Sequence, residues 1–96
     1  MRVRWTPEAE QDRNDIWDHI AVDNPLAALR MDRLFSEAAA RLADSPMLGH
    51  AGKIPGTREL IPHESYRLVY EIEYHENTVW VLALVHTARQ WPPVKD

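Results

Sequence analysis

The 96-residue sequence contains no cysteine. The chain can therefore form no disulfide, ligate no metal through cysteine and use no thiolate nucleophile. No stretch approaches the roughly 20 apolar residues that a membrane-spanning helix needs. The opening residues, Met1 to Pro7, alternate charged and apolar side chains and do not form the apolar core of a signal peptide. We therefore expect a cytoplasmic protein that does not enter a membrane.

Positive charge is also scarce. Eleven Lys and Arg face fifteen Asp and Glu, which gives a formal net charge of −4. Such a surface repels phosphate on average, which argues against general coating of nucleic acid. Four of the five histidines follow Leu48, so we expect an electropositive site to come from the second half. No histidine pair has the spacing of metal ligands, and we predict neither a metal nor a cofactor.

What the chain does have is enough apolar material for one modest core. Hydrophobic residues make up 45% of the sequence, and its length suits a single domain over residues 1–96. The first segment, from Arg2 to Trp5, alternates in the manner of a strand. Thr6 suits an N-cap and Pro7 the first helical position, so a helix is expected from Pro7 to about Val22.

A second helix is predicted because Asn24 and Pro25 repeat the same start signal. It should run to about Ala43, since apolar residues recur at spacings of three and four. The short connection makes the two helices an antiparallel hairpin. A loop with three glycines and two prolines follows, and then three segments with strand character: 57–61, 65–74 and 78–85. The order predicts an α+β fold, with an N-terminal strand and a helix hairpin packed on an antiparallel sheet.

The turn between the last two strands leaves their register open. A three-residue turn would pair Ile72 with Trp80, whereas a two-residue turn shifts the pairing by one residue and exchanges the faces. In either register, Arg67 and His86 lie at the same end of the hairpin.

The order of these elements, together with two motifs, resembles the ParE/RelE superfamily of toxins from type II toxin–antitoxin pairs. The motifs are Ser65-Tyr66-Arg67-Leu68-Val69-Tyr70 in one strand and Val85-His86-Thr87-Ala88-Arg89-Gln90-Trp91-Pro92 at the end. The resemblance covers nearly the whole chain. It implies an antitoxin that wraps the toxin with an extended, partly helical segment, and a ParD-like partner of the ribbon-helix-helix type is expected.

The resemblance implies two different activities. ParE-like toxins inhibit DNA gyrase by binding it, and RelE-like toxins cut messenger RNA on the ribosome without metal. A ribonuclease would use Arg67, His86 and Arg89, but RNA-cutting relatives add a lysine cluster or a glutamate base, which the loop around Lys53 does not offer. We therefore favour gyrase inhibition over RNA cleavage. A third hypothesis is an inactive remnant that binds only an antitoxin.

Five residues are candidate contacts with the target: Arg58, Arg67, His86, Arg89 and Trp91. Each also has a structural interpretation. Arg67, in the same strand as Glu71, could be a surface or cross-strand ion-pair residue, and Arg58 could pair with Glu59 or Glu73 across the sheet. His86 could be a packed imidazole, and Trp91 could fold back over the core instead of anchoring an interface.

The groove between the helix hairpin and the sheet is the expected antitoxin site. The basis is the family resemblance and a last strand that is apolar on both faces, which suits a strand covered by a partner. The predicted antitoxin contacts are Trp17, Ile20, Leu34, Val79 and Val81. Trp5, Trp17 and Trp80 lie on predicted apolar faces, and we expect them to pack into the core.

Overall fold

The computed structural model describes residues 1–93 and leaves the last three residues of the predicted domain, 94–96, outside the description. The elements are β1 (Arg2–Trp5), α1 (Pro7–Ala21), α2 (Pro25–Asp44), β2 (His50–Ala51), β3 (Arg58–His63), β4 (Tyr66–Glu73) and β5 (Thr78–His86). Over residues 1–93, none of the helices combines the length and the apolar character that crossing a bilayer requires.

Both helices begin at the residues that the sequence predicts. The Thr6 hydroxyl accepts a hydrogen bond from the Ala9 amide at 3.1 Å, and the Asn24 side chain accepts one from the Ala27 amide at 3.1 Å. A proline at the first helical position follows each cap. These caps satisfy donors that the first turn of a helix leaves unpaired.

The five strands form one sheet in the order β1-β5-β4-β3-β2. The predicted α+β architecture is confirmed, with one difference: the sheet is mixed, because β1 lies parallel to β5 with Arg2 opposite Thr78. This pairing joins residues far apart in sequence, and local patterns carry no information about it. The strand β3 continues through Pro62 to His63, with irregular pairing between Leu60 and His63, as expected where a proline cannot donate to the ladder.

Both predicted registers of the β4–β5 hairpin occur in the sheet. Near the turn, Ile72 lies opposite Val79, and near the open end Leu68 lies opposite Leu84. The change falls at Leu82, an extra residue on β5 between the partners of Val69 and Tyr70. A bulge of this kind reverses the alternation of the strand that carries it.

The hydrophobic core lies between the helix hairpin and one face of the sheet. Its buried residues are Ala9, Phe35, Ala38, Leu42, Tyr66, Leu68, Tyr70, Val79, Val81 and Leu84. Trp5 packs at the edge of this core. Trp17 is 36% exposed on α1, and Trp80 is half-buried on the other face of the sheet, since it alternates with Val79 and Val81. The prediction of a core position is therefore wrong for these two residues.

Tyr70 joins the core to the loop after α2. Its hydroxyl donates to the Pro46 carbonyl at 2.7 Å and accepts from the buried Gly49 amide at 2.9 Å. The approach is so close that a Cβ at Gly49 would come within 2.8 Å of this hydroxyl and 2.6 Å of the Glu59 carbonyl oxygen. The loop is thereby fixed against the sheet.

We predict that Tyr70→Phe lowers the free energy of unfolding by about 1–3 kcal/mol, because it leaves the buried Gly49 amide without an acceptor. Urea denaturation measures the change. Tyr74→Phe is the matched control: Tyr74 is 67% exposed, and removing its hydroxyl should change stability little. Equal effects of the two substitutions would contradict the role assigned to the Tyr70 hydroxyl.

Candidate functional site

The face of the sheet that points away from the helices, here called the helix-free face, carries Arg67. Arg67 Nη1 lies 2.9 Å from Oε1 of Glu59, which is only 2% exposed. The second oxygen of Glu59 accepts from the Lys53 amide at 3.1 Å, and His50 Nε2 lies 3.9 Å from Oε1. Arg67 is therefore a cross-strand ion-pair residue, as its structural interpretation predicted, and its partner is Glu59 of β3.

Trp91 lies on the same helix-free face. Its ring packs against a second buried cluster formed by Val69, Ala83 and Val85, and the side chain is half-buried. Its indole Nε1 and Arg67 Nε are both buried and donate no hydrogen bond to any of the described residues. Trp91 thus covers part of the sheet while one side of its ring remains accessible.

Arg58 has a structural position. Its Nη2 donates to the Met47 carbonyl at 3.1 Å and also to the Gly49 carbonyl. These bonds hold the loop between α2 and β3, so much of the donor capacity of Arg58 is used inside the protein. It pairs with neither of the two acids that the sequence offered.

His86 and Arg89 lie on the side of the sheet that faces the helices. The His86 ring meets the Tyr66 ring edge-on, with centroids 5.2 Å apart, and its Nδ1 accepts from the Ala88 amide at 3.0 Å. The Arg89 amide donates to the His86 carbonyl at 2.9 Å, and its side chain is exposed. Arg67 and His86 share one end of the hairpin, as predicted, but their side chains leave opposite faces.

A cleft of about 440 Å³ opens beside these two residues, between α1 and the end of β5; it is called the α1–β5 cleft below. Its lining is Asp12, Asp15, Ile16, His19, Tyr66, Leu84, His86 and Arg89. The four residues from α1 are spaced by three and four, which places them on one helical face. Asp12, Asp15 and His19 are not among the site residues predicted from the sequence, although this spacing could have grouped them.

Asp12 connects the helix to the sheet inside this cleft. Its Oδ2 accepts from the Leu84 amide at 3.1 Å. Burial raises the pKa of this carboxyl above its ordinary value of 3.8, and the nearby charges of Asp15 and Glu8 add to the rise. The Leu84 hydrogen bond and the positive charge of Arg89 act in the opposite direction without reversing it.

The predicted antitoxin contacts divide into two groups. Val79 and Val81 are fully buried in the core between sheet and helices, so a partner cannot touch them without opening the fold. Trp17 is accessible on α1, while Ile20 and Leu34 are half-buried. The parallel pairing with β1 explains the difference, because it places β5 inside the sheet.

None of the described residues come together in a group of three or more His, Asp or Glu side chains that could hold a metal ion.

Comparison with known proteins gives consistent matches over almost the full length. Residues 3–91 match the family model described as "ParE toxin of type II toxin-antitoxin system, parDE". The chain is 35% identical over 94 residues to the protein named "Putative toxin Y4kP" from Sinorhizobium fredii. The aligned region covers 97% of this chain and 95% of that protein.

Solved structures also match this chain over most of its length. The chromosomal ParDE toxin–antitoxin system of P. aeruginosa superposes with a TM-score of 0.78 at 22% identity, covering 90% of this chain and 95% of that one. A chain of the toxin–antitoxin complex RelBE2 of Mycobacterium tuberculosis gives a TM-score of 0.67 at 26% identity, covering 88% and 95%. The fold and the sequence matches together define a toxin of the type II toxin–antitoxin class. Within that class, the chain belongs to the ParE family of the ParE/RelE superfamily.

Replacing Asp12 should show how far the negative charge of its carboxylate lowers the free energy of unfolding at neutral pH. The raised pKa means that the folded state holds the proton more tightly than the unfolded chain, so the stabilisation is complete below pH 3.8 and is lost as the pH rises through the folded-state pKa. Asp12→Asn keeps an oxygen for the Leu84 amide and removes the charge. We expect a higher free energy of unfolding than wild type at pH 7, and a difference that shrinks as the pH falls toward 3.8.

Denaturant unfolding across this pH range makes the measurement. Asp18→Asn, an exposed position on the same helix, is the control and should show no such pH-dependent difference. An Asp12→Asn variant less stable than wild type at pH 7 would contradict the expected cost of the buried charge.

Arg67→Ala should destabilise the fold by about 3–5 kcal/mol, because it leaves the Glu59 carboxylate buried without its cation. Combining it with Glu59→Gln should recover part of the loss, and urea denaturation of both variants tests the coupling. Arg30→Ala, at an exposed position on α2, is the control and should change stability by less than about 0.5 kcal/mol. Urea denaturation of Glu59→Gln alone completes the cycle: if the double variant loses the sum of the two single losses, the two side chains are not coupled.

Proposed function

We propose that this toxin arrests growth by binding DNA gyrase, without making or breaking bonds itself, and that a cognate antitoxin neutralises it. The observation that carries the proposal is the placement of Arg67 and His86 on opposite faces of the sheet. Cleavage of RNA without a metal requires a base, a cation and an acid around one phosphate. The two residues that the family resemblance offers for phosphate stabilisation and proton transfer do not converge in this way.

Electrostatics also favour a protein target. The positive charge of Arg67 is already paired with Glu59 at 2.9 Å, and the protein as a whole carries a charge of −4. Docking among ribosomal phosphates would gain little from such a surface. By contrast, the exposed Arg89 and the half-buried Trp91 are residue types that contribute strongly to protein–protein interfaces.

An antitoxin partner is supported by the relatives, since two of the similar structures are named as toxin–antitoxin assemblies, ParDE and RelBE2. The helix hairpin also leaves apolar side chains uncovered. Trp17, Val22, Leu26 and Leu29 are all exposed on or beside the two helices. We propose that a ParD-like antitoxin covers this surface of the hairpin, with Trp17, Ile20 and Leu34 as the contacts nearest the groove.

The test is a supercoiling assay with purified gyrase. We expect the toxin to reduce supercoiling and to increase cleaved DNA, and the antitoxin to reverse both effects. Arg89→Ala should reduce the potency by about tenfold or more if Arg89 is a dominant contact, whereas Arg30→Ala, an exposed arginine on α2, should leave it unchanged. Both substitutions remove one exposed positive charge, so their difference reports on position and not on net charge.

A toxin that cuts messenger RNA and does not affect gyrase would contradict the proposal. If gyrase activity and DNA cleavage are unaffected while messenger RNA is cut in a translating extract, the gyrase proposal fails and ribosome-dependent cleavage takes its place. His86→Gln then tests the proton-transfer role, and it is a better variant than Arg67→Ala because His86 is exposed and pairs with no buried charge. If neither gyrase nor translation responds, the chain binds an antitoxin without being active.

A further inference from the structure

The α1–β5 cleft lies where the sheet loses a neighbouring strand. The parallel strand β1 ends at Trp5, opposite Val81, whereas β5 continues for five residues to His86. Along this stretch the helix α1 takes the place of a strand, and the Asp12 side chain accepts from the Leu84 amide that faces it. The cleft is thus built largely from α1 and the end of β5.

The walls of the cleft differ in chemistry. Ile16, Tyr66 and Leu84 contribute apolar surface, while Asp12 and Asp15 contribute carboxylates from α1. Asp12 uses Oδ2 for the Leu84 amide, and its Oδ1 accepts no hydrogen bond from the described residues. Among the same residues, Asp15 accepts from the Gln11 side chain alone, at 2.8 Å and in an exposed position. Carboxylate oxygens of both residues remain available to a ligand.

The fold requires a hydrogen-bond acceptor at Asp12 but does not require a negative charge there. An asparagine oxygen would accept from the Leu84 amide equally well and would avoid the desolvation of a carboxylate. Among the described residues, the cleft is lined by one arginine, Arg89, and by the imidazoles of His19 and His86, and Arg89 forms no ion pair with Asp12 or Asp15. With the histidines counted as neutral, two carboxylates against one arginine leave the cleft with an excess of negative charge, which favours a cationic occupant.

We propose that the α1–β5 cleft binds one arginine or lysine side chain of the cognate antitoxin, an inference that rests on the antitoxin pairing proposed above. The apolar stem lies over Ile16 and Leu84, and the charged head reaches Asp12 Oδ1 and Asp15. Long basic side chains suit such a site because they combine an apolar stem with a charged end. An antitoxin seated there covers His86 and Arg89, so the same contact that holds the antitoxin masks two residues proposed to bind the target.

The experiment measures how tightly the wild-type toxin and its variants, each as the full chain, bind the antitoxin encoded beside the toxin. Asp12→Asn combined with Asp15→Asn should weaken binding by at least about tenfold, the effect of removing charges that face a partly desolvated cation. The matched control is Glu71→Gln combined with Glu76→Gln, which makes the same change of net charge at exposed positions outside both the cleft and the helix hairpin and should leave the affinity within about twofold. The affinity of the cleft variant should also fall less steeply with added salt.

A second measurement identifies the occupant. Each arginine and lysine of the antitoxin is changed to glutamine in turn, and one of these changes should have no further effect in the Asp12→Asn, Asp15→Asn background. Because both toxin substitutions retain polar side chains of the same size, thermal unfolding should show that the cleft variant remains folded.

The outcomes separate the two proposals. If the antitoxin binds wild type and the cleft variant with equal affinity, or if every basic residue remains additive with the cleft variant, the cleft assignment is overturned while the antitoxin pairing stands. If the antitoxin fails to bind wild type, the proposed pairing itself fails. A tenfold loss confined to the cleft variant, together with one non-additive basic residue, supports the inference.

Discussion

One extra residue in β5, Leu82, determines which side chains at the end of the strand face the helices. Without it, the alternation that buries Val79 and Val81 would continue, and His86 would project from the helix-free face beside Arg67. With it, Val85 joins the helix-free face and His86 turns toward Tyr66 and α1. The bulge therefore separates two groups that the order of residues along the chain would bring together.

The two surfaces that result have different electrostatics. On the helix-free face, Arg67 is paired with the buried Glu59 at 2.9 Å, and the tail residue Trp91 packs beside it. In the α1–β5 cleft, the carboxylate of Asp12 is desolvated and has no ion-pair partner among the described residues. A paired charge in a sheet stabilises the local arrangement, whereas an unpaired one at the edge of a cleft attracts an opposite charge from a partner.

These differences fit the proposal that the toxin acts by binding its target. The exposed Arg89 lies between the two surfaces, on the tail segment that links the cleft to Trp91. A partner seated in the cleft would obstruct the approach of a target to this tail without contacting every residue of it. Neutralisation then requires only overlap of two binding surfaces and no change in the fold of the toxin.

The sequence predicts the elements that depend on local chemistry: both helices with their Thr6 and Asn24 caps, and every strand except the two-residue β2, which lies in the predicted loop. It did not determine the parallel pairing of β1 with β5, the bulge at Leu82 or the ion pair between Arg67 and Glu59. A cap is decided by residues three positions apart, so the sequence carries it directly. Strand neighbours and faces depend on contacts between residues up to 76 positions apart, and a shift of one residue exchanges the faces while leaving the sequence pattern intact.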